Sequence, residues 1–145
     1  MSEQLQKKIV DAIVDRETNL YDVVYLYGNQ ETAAAMTAAL EEEYTKKHPH
    51  AGICRTDADS FREETRKQIP GGEAWGADCD LFIFENIDGI AGLEINEQRL
   101  YGILDWLLEN RRQILVTGTV PTVQILTLAP RIRAQIDGGI AICLE

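Results

Sequence analysis

The residues best placed to do chemistry sit at the ends of apolar runs. Val23 to Tyr27 (VVYLY) reads as a buried strand, followed by Gly28 and an alanine-rich helix. Strand, glycine, helix is how phosphate-binding loops are built, because unsatisfied N–H groups at the helix start point at the anion. The cradling form is G-x-x-x-x-G-K-[ST]. Here Gly28 is followed at the matching spacing by Ala33, Ala34 and Ala35. A methyl at Ala33 hinders the close backbone approach that holds phosphate oxygens. Ala34 supplies no cation and Ala35 no hydroxyl for a magnesium ion. Glu31 places a carboxylate in the middle of the loop, where it repels a triphosphate. Glu85 and Asn86 sit at the C-terminal end of another apolar run, CDLFIF (Cys79 to Phe84).

The elements that must position these groups are legible from periodicity. Residues 3–16 place Leu5, Ile9, Ile13 and Val14 at near-helical spacing, and residues 17–20 connect to the first strand. The helix after Gly28 runs from about Asn29, a good N-cap, to Thr45, with Glu31 in its first turn and Pro49 beyond its end. Glu41, Glu42 and Glu43 read as a solvated face. Residues 51–55 form a second strand, and Asp57 or Asp59 caps a helix over 60–68. Pro70, Gly71 and Gly72 open a loop in which Trp75 is a core plug or an exposed contact. Cys79 to Phe84 is the most apolar strand and is expected at the centre of the sheet. Glu94 to Asn110 forms an amphipathic helix with Ile95, Leu100, Ile103, Leu104, Leu107 and Leu108 as its core stripe and Trp106 at the edge. A fourth strand covers 113–117, a short helix 122–127, a helix beginning at Pro130 covers 130–136, and a fifth strand 140–144. Strands alternate with helices throughout, which implies an α/β fold with a parallel sheet covered on both faces.

Composition bounds the rest. The 145 residues, 45% hydrophobic, suit one domain, 1–145, with a sizeable core. Fourteen basic residues against 24 acidic ones give a net charge of −10, which argues against broad nucleic-acid binding. Cys54, Cys79 and Cys143 are far apart, odd in number and without a C-x-x-C pair, so buried free thiols are expected. No run approaches membrane-spanning length and the N-terminus is charged and amphipathic; a soluble, cytoplasmic protein is the expectation. His48 and His50 flank Pro49 in what reads as a solvated loop rather than a metal site. Asp57, Asp59, Asp78, Asp80 and Asp88 read as caps and loop residues.

Four segments in order resemble the nucleotide-binding core of the bacterial chromosomal replication initiator (DnaA) family, within the AAA+ superfamily. They are YLYG (Tyr25 to Gly28), DLFIFENIDGIAG (Asp80 to Gly92), RRQILVTGTVP (Arg111 to Pro121) and LAPRIRAQIDGGIAICL (Leu128 to Leu144). The resemblance implies a three-layer α/β/α, P-loop NTPase-like fold with a five-stranded parallel sheet. It places Gly28, Glu31, Ala33, Ala34 and Ala35 in a degenerate Walker A loop, Glu85 and Asn86 where a pair of aspartates is usual, and Thr119 at the first sensor. Arg131 matches a family arginine, while Gln135 stands where the arginine finger is usually assigned. The lid with its sensor arginine and the DNA-binding domain are not expected. A lost charge-assisted hydrogen bond costs roughly 1.5–3 kcal/mol and every ~1.4 kcal/mol is tenfold in affinity. A micromolar nucleotide site would thus become millimolar or worse. The expectation is a module with no cofactor, acting on a protein partner, which is an AAA+ initiator or a second copy, possible roles lying in replication. The alternative is a divergent ATPase using ATP and magnesium with Glu85 and Arg131. Arg131 and Arg133 then either present charge to a neighbouring subunit or form surface ion pairs.

Overall fold

The computed structural model describes residues 1–16, 21–67 and 79–145. The 17–20 connector, the glycine-rich loop from Pro70, Trp75 and Asp78 lie outside the described residues.

Five parallel strands form the middle layer: β1 (Val23–Gly28), β2 (Ile53–Asp57), β3 (Leu81–Glu85), β4 (Gln113–Gly118) and β5 (Ile140–Leu144), in the order β2-β3-β4-β1-β5. The helices are α1 (Glu3–Val14), α2 (Gln30–Lys47), α3 (Ala58–Arg66), α4 (Glu94–Glu109) and α5 (Pro130–Asp137), with 3₁₀ turns at Ile87–Ile90 and Thr122–Gln124. Alternation along each strand divides the core. Val24, Leu26, Leu81, Ile83 and Leu115 face α1 and α2. Val23, Tyr25, Phe82, Phe84, Ile114 and Val116 face α3, α4 and α5. The result is the three-layer α/β/α sandwich of a P-loop NTPase-like, AAA+-like fold. Because every connection is a crossover, all strands end at one edge of the sheet, and the loops that carry the candidate residues converge there.

Capping fixes the helix starts. Ser2 accepts from Leu5 N, Asn29 from Thr32 N and Asp57 from Ser60 N. Of the two aspartates considered for α3, Asp57 is therefore the cap. Several expectations are corrected. β4, not β3, is the central strand; β3 is an interior strand between β2 and β4. β2 begins at Ile53, because the Gly52 carbonyl accepts from Asp80 N and Leu81 N outside the ladder. Ile95 is not in the α4 core stripe but 67% exposed, while Leu108 is half-buried. The 122–127 segment is a 3₁₀ turn of three residues rather than a longer helix. Among the described residues the cysteines form no disulfide, but only Cys79 is buried; Cys54 is intermediate and Cys143 exposed. Among the described residues, no helix is long and apolar enough to cross a membrane.

Candidate functional site

The crevice above the strand ends is built from three junctions. The first is β1 to α2. Gly28 has φ +110°, and an added Cβ would lie 2.3 Å from the Leu144 carbonyl oxygen. Asn29 N–H donates to that same carbonyl at 3.0 Å. α2 begins at the next residue, Gln30. Glu31, Ala33, Ala34 and Ala35 are consequently all helical. Ala33 is buried, whereas Ala34, Ala35 and Glu31 are exposed. The Gln30 carboxamide donates to Gly28 O at 2.8 Å and to Gly118 O at 2.9 Å. It thereby ties the end of β1 to the end of β4 across the place where the strands open. Gln30 carried no signal in the sequence, since its longer contact spans 88 residues.

The second junction follows β3. Glu85 Oε1 accepts from Arg55 Nε at 2.7 Å, and Arg55 Nη1 donates to Glu41 Oε2 at 2.7 Å. Glu41 is thus part of an ion-pair chain from α2 through β2 to β3, more than the solvated face expected of it. Asn86 adopts a left-handed conformation (φ 65°, ψ 61°), and its N–H donates to Thr117 Oγ1 at 3.0 Å. The Asn86 side chain is exposed.

The third junction follows β4. Asp88 accepts from both the Thr119 hydroxyl, at 2.6 Å, and Thr119 N–H, at 3.0 Å. The buried Tyr25 phenol donates to Val120 O at 2.6 Å. Burial, then the Asp88 and Asp137 carboxylates, push its pKa well above the ordinary tyrosine value. Gly118 is a packing requirement of this cluster: an added Cβ would sit 2.0 Å from Tyr25 Oη. Asp88, read from sequence as an ordinary loop residue, is the group that engages the sensor-like Thr119.

Arg131 lies on α5, with its guanidinium 4.9 Å from the centroid of the Tyr101 ring on α4. Gln135 Nε2 donates to Tyr101 O at 3.1 Å. Arg133 donates to Ile125 O rather than to a carboxylate. Among the described residues neither arginine forms the surface ion pair that was one expectation. His48 Nε2 contacts Val14 O at 3.2 Å and its ring packs on Tyr44, so it joins α1 to α2. Among the described residues, no group of three or more His, Cys, Asp or Glu side chains is arranged to hold a metal ion.

No protein-family model matches the chain. Among curated proteins it is similar to the chromosomal replication initiator protein DnaA of Lachnoclostridium phytofermentans, 18% identical over 142 residues, covering 92% of this chain and 31% of that protein. Among solved structures it is similar to AMPPCP-bound DnaA from Aquifex aeolicus, with TM-score 0.83 and 18% identity, covering 100% of this chain and 48% of the other. It is also similar to the DnaC helicase loader, with TM-score 0.76 and 9% identity, covering 99% and 90%. The chain spans about a third of the length of the curated relatives it matches. The relationship to the DnaA-type AAA+ proteins is distant and of partial coverage.

Proposed function

We propose that the chain is a nucleotide-independent relative of the DnaA ATPase core that acts by binding proteins, as a regulatory or accessory module in DNA replication. The observation that carries this reading is the β1–α2 junction. The Asn29 amide, one of the groups that would turn toward a phosphate, is committed to Leu144 O. The Gln30 carboxamide occupies the strand-end acceptors, and Glu31 adds a negative charge in the first helical turn. These residues do not fit a triphosphate cradle, and no lysine stands at the Ala34 position to compensate. Glu85 and Thr119, the other positions of interest, are engaged by Arg55 and Asp88. The remaining use of such a fold is its surface, and the partner proposed is an AAA+ initiator or loader protein, or a second copy of this chain.

Titration calorimetry with ATP and magnesium tests the reading. No heat of binding is expected at sub-millimolar nucleotide. Saturable heat, or turnover abolished by Glu85→Gln, would overturn it in favour of a divergent ATPase.

A further inference from the structure

Among the described residues six large apolar side chains are exposed, and four of them, Leu93, Ile95, Val123 and Leu126, belong to two abutting segments. An added Cβ on Gly92 would meet Thr127 Cβ at 3.1 Å, and Ala129 N–H donates to the Glu97 carboxylate at 2.8 Å. The start of α4 therefore lies against the 122–129 segment. Leu126 is 88% exposed although its neighbours Ile125 and Leu128 are buried. Apolar groups gathered in this way on a soluble surface mark an interaction site.

Two observations bear on what covers it. The first is Gly102, exposed in the interior of α4, one heptad from Ile95 and so on the same face. An added Cβ there meets nothing within 4 Å. The space would accept alanine, which favours a helix by about 0.5–1 kcal/mol over glycine. A bare helix face in that position admits the close approach of another helix. The second is charge. The molecule carries −10, yet both signs lie about the patch: Glu94 and Asp105 on α4 and Asp137 on Thr122, against Arg131 over Tyr101, Arg133 on Ile125 O and Arg62 on Gly89 O. Glu94 is exposed and contacts only Gln98 at 3.5 Å. Arg131 is exposed and held over Tyr101, seven residues further along α4, or about 10 Å along the axis. Neither has an ion-pair partner among the described residues.

We infer that this face is a two-fold contact between copies of the chain, formed by the exposed face of α4 and the 122–127 segment. It rests on the protein-interaction reading and names its surface. An antiparallel crossing centred on Gln98 sets Ile95 of one copy against Gly102 and Tyr101 of the other. It brings Arg131 of each copy beside Glu94 of its mate. The Arg131–Glu94 pairs offset part of the repulsion between two strongly acidic molecules, which also bring exposed Asp105 to this face.

Sedimentation equilibrium of the purified protein over a wide concentration range provides the test. A monomer–dimer equilibrium is expected. Leu126→Asp is at a site exposed enough to leave folding intact, as circular dichroism would verify, and is expected to raise the dimer dissociation constant at least tenfold. Arg131→Glu and Glu94→Arg are each expected to weaken the dimer, and their combination to restore it, because the swap re-forms both contacts. A monomer at every concentration overturns the inference and leaves the patch to a different protein. A dimer that persists in Leu126→Asp, or that the double swap fails to restore, also overturns it. The nucleotide titration is read separately: a monomer without nucleotide heat removes this surface only, while heat from a dimer removes the nucleotide-independent reading only.

Discussion

At the scale of single residues, Tyr25 couples the crevice to the stability of the whole chain. Its phenol is an acid whose pKa in the folded state lies above the ordinary value of about 10, raised first by burial and then by Asp88 and Asp137. Folding therefore retains a proton that the unfolded chain gives up. The corresponding stability is intact below about pH 10 and falls as pH rises past it. Tyr44 and Cys79 are raised by burial too and add to the same alkaline loss. Tyr25→Phe is expected to cost about 0.5–1.5 kcal/mol at neutral pH through the bond to Val120 O, and to make urea midpoints fall less steeply above pH 10. Gly118→Ala is expected to cost more, about 1–3 kcal/mol, because its methyl displaces the phenol itself. Thermal denaturation of the two variants side by side would rank them. Gly102→Ala makes the opposite prediction for the single chain, since its methyl meets nothing of its own molecule: about 0.5–1 kcal/mol of added stability, read as a raised denaturation midpoint at concentrations where the protein is monomeric.

At the scale of elements, the junction between β1 and α2 rests on one cap. Asn29→Ala is expected to cost about 1 kcal/mol and to increase amide exchange in the first turn of α2 more than in α4. This cap was visible in the sequence, as was the succession of five strands and five helices, because apolar period and capping residues agreed at most boundaries. Where those signals were weak, the reading slipped. Ala51 and Gly52 look strand-compatible, yet they lie between the turn at Pro49 and His50 and the start of β2 at Ile53. Ile95 has the helical spacing of a core residue and faces outward, since the adjacent face of α4, with Leu100, Ile103, Leu104 and Leu107, meets the sheet. At the site, Gly28, Glu85 and Thr119 were legible as strand-end positions. Their partners Gln30, Arg55 and Asp88 were not, because a polar residue at an exposed position gives no sign of a contact made 30 or 88 residues away.

At the scale of the molecule, the proposed loss of phosphate binding rests on where α2 starts, at Gln30, and not only on its side chains. The combined substitution Ala33→Gly, Ala34→Lys, Ala35→Thr is therefore expected not to restore sub-millimolar nucleotide binding, measured by calorimetry, while Asn29 and Gln30 keep their hydrogen bonds. The strand order carries a different consequence, for biosynthesis. β1 pairs with β4 and β5 and with no earlier strand, Val23 opposite Ile114 and Val24 opposite Ile140. A growing polypeptide thus holds the apolar Val23–Gly28 segment unpaired until Gln113–Gly118, its first ladder partner, has been made. Until β4 emerges, that segment has no ladder to join, and nascent chains released before then are exposed to aggregation and proteolysis.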